Sequence, residues 1–217
     1  TGIFVPIKKG HTGAKKKYAL FSESRSKLKI RGFETIRKNW SKLAKEVQQK
    51  VLDILLKEEN KEKAFDYVRK IIFDIQTKKI PLKKMIISTH IQKSIESYEA
   101  VGPHVAVARR MQEKGIPMGP GSIVRFIITS GEGMLRNRAR PPEEVKEGDY
   151  DSEYYINNQI VPAVNSILSV VGYTEEDLLK SNEQSDLSKF FWLMLTVNEQ
   201  NIFVFDKFSY LPLEFIY

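Results

Sequence analysis

The sequence predicts an α+β fold: a small β platform followed by a mostly helical part that carries a small β insertion. Short apolar stretches separated by turn residues fill the first thirty positions. From Trp40 onward, apolar residues recur at the spacing of amphipathic helices. An apolar run over residues 123–129 interrupts the helical part directly after a glycine-rich turn, and it predicts the inserted strand.

The β platform is predicted to contain three strands, over residues 2–7, 15–21 and 27–30. The first strand is rich in apolar and β-branched residues, whereas the third alternates polar and apolar side chains. Residues 8–13 contain two glycines as turn residues, and residues 22–26 form a polar hairpin connection.

Helices are predicted in several segments of the remaining chain. The first begins after Ser41, whose hydroxyl suits an N-cap, and the second runs from about Lys61 and ends before Pro81. A shorter helix over residues 103–114 ends at Gly115, a natural residue for the position after a helix.

The later part of the chain combines a long helix with irregular segments. The helix is predicted over about residues 152–171, and Pro162 inside it predicts a kink. Thr174 is predicted to cap a short helix with an acidic first turn. Residues 85–88 are predicted as a strand and residues 131–148 as an exposed loop.

The composition excludes several classes of protein. An apolar fraction of 41% with 29% charged residues is typical of a globular protein rather than a disordered one. The chain has no cysteine, so disulfides and thiolate metal sites are excluded and an intracellular, nucleoid-associated location is expected. Three scattered histidines do not favour a histidine metal centre. We find no membrane-spanning apolar run and no signal peptide, so we expect no membrane partner.

Positive charge is concentrated at one end of the sequence. Residues 1–50 hold eleven Lys and three Arg against three Glu, a net charge of +11, whereas the whole chain carries +8. Residues 51–217 therefore carry a net charge of −3. A basic region of this kind indicates a polyanionic partner such as nucleic acid, and a solvated charged face is the alternative.

A catalytic site is not recognisable in the sequence. Asp149, Asp151 and Glu153 form the densest acidic group, but their position before a helix is better explained by interaction with the helix dipole. Neither a phosphate-binding glycine loop nor a framed Ser or Cys nucleophile is present. We therefore expect no catalytic residue, metal site or cofactor in this chain.

Three segments, in matching order and spacing, resemble one protein family. They are Gly13-Ala-Lys-Lys-Lys-Tyr-Ala-Leu20, Arg31-Gly-Phe-Glu-Thr-Ile-Arg-Lys-Asn-Trp40 and Asp151-Ser-Glu-Tyr-Tyr-Ile-Asn-Asn-Gln-Ile-Val-Pro-Ala163. The first is similar to a strand motif in the palm of family B DNA polymerases, and the other two to segments of the family's thumb domain. The resemblance implies a palm-edge segment over residues 1–36 and a thumb domain over residues 37–180.

The first motif implies contacts with primer–template DNA. In the family its lysines and tyrosine lie along the minor groove and backbone near the primer terminus, which implies this role for Lys15, Lys16, Lys17 and Tyr18. Minor-groove acceptors are nearly independent of sequence, which suits an enzyme that accepts any correct base pair. Alternation along a strand would place Lys15 and Lys17 on one face and Lys16 and Tyr18 on the other.

The second motif implies phosphate contacts from Arg31, Arg37 and Lys38. Here the sequence departs from the family, because Lys38-Asn39 stands where Arg-Asp is usual. A charged contact remains at Lys38, but an ion pair made by the usual Asp is in doubt at Asn39. Three aromatic residues of the thumb motifs are predicted to belong to the core rather than to stack on bases: Trp40, Tyr154 and Tyr155.

The catalytic carboxylates of the family lie upstream of the segments that the chain resembles. The resemblance therefore implies that a large catalytic polymerase chain, or a missing N-terminal part, supplies them together with Mg²⁺. Its start just before the lysine motif favours a natural split, as in some archaeal family B enzymes, over an expressed fragment. The first strand would then pair with the palm sheet of that partner.

A further motif follows the predicted thumb. Gln184-Ser-Asp-Leu-Ser-Lys-Phe-Phe191 resembles the clamp-binding peptide of replication proteins and implies a sliding clamp of the PCNA type as a partner. A short 3₁₀ turn would present Leu187, Phe190 and Phe191 to a hydrophobic pocket, and Gln184 would anchor the peptide through its amide. The alternative is a small amphipathic turn packed on the thumb.

Two functions are compatible with these features. The first is the thumb component of a DNA-directed DNA polymerase, a nucleotidyltransferase, which is inactive by itself. The alternative is a non-catalytic DNA-binding processivity protein that tethers a sliding clamp. An RNA-binding domain lacks support from exposed aromatic motifs. Residues 181–191 would be the clamp-binding segment, and the apolar tail over residues 192–217 has no assigned role.

Overall fold

The computed structural model describes residues 2–5, 17–22, 27–32 and 39–179. It confirms the predicted α+β class, with two three-stranded antiparallel sheets and a largely helical part after residue 40. The described residues up to Leu178 form one compact unit. Among the described residues, no helix is both long and apolar enough to cross a membrane.

The first sheet has the strand order β1-β2-β3. Its strands are β1 (Gly2–Val5), β2 (Lys17–Ser22) and β3 (Lys27–Arg31), all antiparallel to their neighbours. These bounds confirm the three predicted strands within the described residues. Ala19, in the middle strand, lies opposite Ile30 of β3.

The first helix, α1 (Lys42–Asp53), begins where the sequence predicts. The Oγ atom of Ser41 accepts a hydrogen bond of 3.2 Å from the backbone N–H of Ala44, which confirms the predicted N-cap. The helix continues into a π-helical turn (Ile54–Glu58), and Glu59 ends it in the left-handed region with φ of 52°. The apolar residues on one side of this helical segment are buried: Leu43, Val47, Val51, Ile54 and Leu55.

The second helix, α2 (Lys61–Gln76), is capped by Asn60 and ends close to Lys78, which has a positive φ of 59°. The Lys78 ammonium donates a hydrogen bond to the main-chain oxygen of Tyr150 and lies 4.6 Å from the centre of its ring. These contacts fasten the end of α2 to the segment that leads into the last long helix.

The second sheet has the order β4-β5-β6, with strands Ile87–His90, Ile123–Ile128 and Ala139–Arg140. The predicted strand over residues 85–88 is placed too early, because a short helix, α3 (Leu82–Met85), forms directly after Pro81. Helix α4 (Pro103–Glu113) confirms the prediction, and Gly115 follows it with φ of 79°.

The segment over residues 131–148 is more ordered than predicted. It contains helix α5 (Leu135–Arg138), strand β6 and a 3₁₀ turn (Pro142–Glu144). Strand β6 has two residues and forms because Ile127 and Ile128 of β5 pair with it. A pairing of this kind depends on a distant segment and leaves no periodic pattern in the sequence.

The last long helical segment runs without a break from α6 (Ser152–Tyr155) through a π-helical turn (Ile156–Ile160) into α7 (Val161–Leu168). The interruption lies directly before Pro162, which lacks the N–H that an α-helix requires at this position. A 3₁₀ turn follows, and then α8 (Glu175–Leu179). The Oγ1 atom of Thr174 accepts from the N–H of Asp177 at 3.2 Å, which confirms the predicted cap.

Two tyrosines lie at the centre of the core. Tyr150 and Tyr155 are fully buried, and their rings meet edge to face at 6.0 Å. The Tyr155 hydroxyl donates to the main-chain oxygen of Met85 at 2.7 Å and accepts from the N–H of Ile128 at 3.3 Å. Burial raises the pKa of Tyr155, so this hydroxyl stays neutral and joins three separate segments.

Candidate nucleic-acid interface

One face of the first sheet is closed by the hydrophobic core. Ala19 is fully buried, and the alternating positions Phe21 and Ile30 pack against the same core. The ammonium of Lys57, in the π-helical turn after α1, lies 5.7 Å from the centre of the Phe21 ring. Because strand residues alternate between faces, the intervening positions of β2 and β3 lie on the opposite face.

That opposite face carries charged and hydrogen-bonding side chains. Tyr18 and Arg31 are directly opposite each other in the antiparallel register, and Lys29 lies two residues from Arg31 on the same strand. Lys29 and Arg31 are exposed, whereas Tyr18 is half-buried. We call Tyr18, Lys29 and Arg31 the basic face. The other side of this sheet packs against the core, and the basic face points away from the core, where its charged side chains can reach a polyanion.

The structure brings together two of the residues that the sequence predicts, Tyr18 and Arg31, and it adds Lys29. The sequence analysis did not single out Lys29 as a site residue, because the net charge of the first fifty residues does not distinguish one lysine from another. The alternation of polar and apolar residues over 27–30 was the signal that could have placed it beside Arg31.

Several other predicted site residues have no described side chain. Lys15, Lys16, Arg37 and Lys38 lie outside the described residues. The backbone of Lys17 opens β2 opposite Val5, but its side chain is not described. The predicted clamp-binding residues also lie outside the described residues: Gln184, Leu187, Phe190 and Phe191.

A partly buried hydrogen-bond network holds the chain where the helical part begins. Asn39 has φ of 80°, a conformation that asparagine tolerates better than most residues. Its Oδ1 atom accepts a hydrogen bond of 2.6 Å from the Thr89 hydroxyl in β4. Its backbone N–H donates to the main-chain oxygen of Ser88 at 3.4 Å. Asn39 thus makes a neutral hydrogen bond where the resemblance put an ion pair in doubt.

Gln159 completes this network from the last long helical segment. Its Oε1 atom accepts from the N–H of Ser41 at 2.7 Å, and its Nε2 atom donates to the main-chain oxygen of Asn39 at 3.4 Å. Gln159 lies in the π-helical turn before Pro162 and is 4% exposed. The π-helical turn therefore supplies the amide that bonds the start of the helical part.

Carboxylates in the described residues serve structural purposes. Asp151 caps α6 by accepting from the N–H of Tyr154 at 3.0 Å, and it forms an ion pair with Arg138. Asp151 therefore has a structural role at the start of the helix, as predicted for the acidic group to which it belongs. Within the described ranges, no three His, Asp or Glu residues are grouped so that they could hold a metal ion.

The predicted core aromatics are also confirmed. Tyr155 is fully buried, and Trp40 and Tyr154 pack against the core. Burial raises the pKa of Tyr154 as it does that of Tyr155, so neither hydroxyl is suited to proton transfer near neutral pH. The described surface exposes the positive charges of Lys29 and Arg31 on one face of the first sheet, where an extended anion is the complementary ligand.

A sequence model described as DNA polymerase family B matches residues 13–171. The chain belongs to this family. The match includes β2, β3, every helix from α1 to α7 and both sheets in whole or in part. It therefore covers the basic face and the Asn39–Gln159 network.

Archaeal DNA polymerases are similar to this family B chain. The chain is 41% identical over 188 residues to a DNA polymerase of Thermococcus aggregans. The matched region covers 85% of this chain and 10% of that protein. The chain is 40% identical over 173 residues to a DNA polymerase of Thermococcus gorgonarius, covering 79% of the chain and 22% of that protein. The chain thus spans about a tenth to a fifth of the length of these relatives.

A solved structure has a similar fold. It is the family B DNA polymerase from the hyperthermophilic archaeon Pyrobaculum calidifontis, with a TM-score of 0.64 and 34% sequence identity. The similarity covers 75% of this chain and 21% of that one. The fold of this chain is therefore the fold of one part of a family B polymerase.

The basic face predicts a specific defect in DNA binding. Replacing Lys29 and Arg31 together by Ala should weaken duplex binding equally for unrelated sequences, because phosphate contacts carry no sequence information. The slope of log K against log salt should become shallower by about 0.9 for each phosphate that is no longer neutralised. Fluorescence anisotropy with a labelled duplex at several salt concentrations measures both effects.

The matched control replaces two exposed lysines of the helical part, Lys70 and Lys83, by Ala. It removes the same amount of charge and should leave affinity and slope close to those of the wild type. If both double variants bind duplex equally weakly, the basic face has no special role.

Proposed function

We propose that this chain is the thumb and palm-edge component of a DNA-directed DNA polymerase. Residues 1–36 would form the palm edge and residues 37–180 the thumb, which together grip primer–template DNA. The family membership over residues 13–171 carries this proposal. It is supported by the basic face, which stands on a sheet whose other face is closed by the core.

The proposed grip is electrostatic and independent of sequence. Lys and Arg side chains neutralise backbone phosphates and release bound counterions, which favours binding to any duplex. Lys29 and Arg31 are exposed for such contacts. Lys15, Lys16 and Lys17 would extend the same function along the minor groove, and Arg37 and Lys38 would add phosphate contacts.

Catalysis would come from outside the described part of this chain. The described residues hold no candidate metal group, so Mg²⁺ and the carboxylates that bind it would belong to a large polymerase chain or to a further part of the same protein. The described residues of this chain would take no part in the chemical step. They would hold the primer end in place while nucleotidyl transfer occurs elsewhere.

An open sheet edge supports a partner of this kind. Among the described strands, β1 pairs only with β2, and no described strand pairs with its other edge. An unpaired strand edge favours pairing with another strand. We propose that the edge of β1 pairs with the palm sheet of the catalytic part.

Reconstitution tests the proposed function. The full chain is mixed with the large family B polymerase chain of the same organism, and complex formation and primer extension are measured. The expected result is a stable complex that extends primers, whereas each chain alone is inactive. The absence of a complex, with polymerase activity unchanged by this chain, would contradict the proposal.

A variant in which Lys15, Lys16 and Lys17 are replaced by Ala separates grip from assembly. It should still form the complex but should extend primers poorly as the salt concentration rises. Unchanged primer extension at every salt concentration would remove the role assigned to these lysines.

We also propose that residues 184–191 bind a sliding clamp. The combined variant Phe190→Ala and Phe191→Ala should lose clamp-stimulated synthesis and keep clamp-free synthesis, because the aromatic pair fills the hydrophobic pocket. Phe203→Ala with Phe205→Ala is the matched control in the apolar tail and should behave as the wild type. Equal clamp binding by the Phe190 and Phe191 variant would contradict the assignment.

The second candidate function is a non-catalytic DNA-binding processivity protein. It would use the same exposed side chains, Lys29 and Arg31, to bind duplex DNA. Such a protein would stimulate synthesis only when the clamp is present and would form no complex with a large polymerase chain. The reconstitution experiment therefore distinguishes the two candidates.

A further inference from the structure

Three arginines lie on neighbouring elements of the helical part. They are Arg110 on α4, Arg136 on α5 and Arg140 on β6, and we call them the arginine cluster. Helix α4 packs against both α5 and β6, and the Nη2 atom of Arg110 donates to the main-chain oxygen of Arg136 at 3.1 Å. Burial and then repulsion from the charge of Arg140 lower the pKa of Arg110.

The charges of this cluster are not used in ion pairs within the described residues. Arg110 and Arg140 donate only to main-chain oxygens, of which Asn137 O lies 2.6 Å from the Nη1 atom of Arg140. Arg136 is exposed, and its guanidinium has no hydrogen-bond or ion-pair partner in the described part of the chain. Arg138, between them in sequence, differs because it pairs with Asp151.

Two carboxylates near the cluster do not cancel its charge. Glu144 lies within electrostatic reach of Arg110 but is already paired with Lys114. Glu113 also attracts Arg110 over a distance, without an ion pair among the described residues. The cluster therefore keeps a local positive charge, although residues 51–217 as a whole are slightly acidic.

Main-chain contacts orient the guanidinium groups of Arg110 and Arg140 in advance. An arginine whose donors partly engage fixed carbonyl oxygens loses less side-chain entropy when an anion binds to its remaining donors. The planar guanidinium matches the oxygens of a phosphate group in a bidentate arrangement. Arg136 adds an exposed guanidinium beside these two oriented ones.

We propose that Arg110, Arg136 and Arg140 form a second phosphate-binding site that contacts the backbone of duplex DNA, away from the basic face. This inference rests on the proposed function. The cluster lies across three elements of the surface, which suits a repeating polyanion rather than one small anion. Duplex DNA carries one negative charge for about every 1.7 Å of its axis, so several phosphates can meet several arginines at once.

Duplex binding by the full chain tests the site. Arg136→Gln alone removes an exposed charge that contacts no described side chain, so the fold should persist. Arg136→Gln with Arg140→Gln should bind a short primer–template duplex about tenfold more weakly, since charge-assisted contacts are the stronger hydrogen bonds. Its salt slope should be shallower by about 0.9 for each phosphate that is no longer neutralised.

The matched control is Arg125→Gln, which removes one exposed arginine on β5 that has no described partner. It should bind duplex like the wild type, whereas Arg136→Gln should not. Unchanged affinity and slope in both the single and the double variant would overturn the inference. So would equally weakened binding in Arg125→Gln and Arg136→Gln, because general positive charge would then explain the effect.

Two further results keep this inference separate from the proposed function. If the Lys29 and Arg31 double variant binds duplex more weakly while the arginine-cluster variants do not, only the second site is wrong. If the wild-type chain shows no salt-dependent duplex binding, the proposed function fails as well. Polyglutamate serves as a competing acidic polypeptide: loss of its binding in Arg136→Gln, with duplex binding intact, would assign the cluster to an acidic protein and overturn the inference.

Discussion

The arrangement of the described residues depends on the hydrogen bonds of Gln159. This one side chain lies in a π-helical turn and bonds both Ser41 and Asn39 at the start of the helical part. Ser41 and Gln159 are 118 residues apart in the sequence. An unsatisfied buried amide or N–H costs about 1–3 kcal/mol, so the network opposes separation of these segments.

Pro162 lies two residues after the π-helical turn that contains Gln159. The helical segment continues through the turn into α7 without a break. The turn brings Gln159 inward, where it is 4% exposed. The hydrogen bonds of Gln159 to Asn39 and Ser41 thus join the last long helical segment to the start of the helical part.

The sequence predicts features that depend on neighbouring residues and misses those that depend on distant ones. The caps at Ser41 and Thr174 are local, and the structure confirms them. The kink at Pro162 stays a prediction, and the structure places a π-helical turn just before it. Strand β6 and the partners of Gln159 come from segments far apart in sequence. The arginine cluster needs three elements at once, and the net negative charge of residues 51–217 conceals it.

The central claim is that this chain holds duplex DNA through its phosphates. Its most direct test is the affinity of the full wild-type chain for two duplexes of unrelated sequence, measured over a series of salt concentrations. We predict equal affinities for both duplexes and a linear fall of log K with log salt, at a slope of about −0.9 for each phosphate neutralised. A slope near zero, or a strong preference for one sequence, would contradict it.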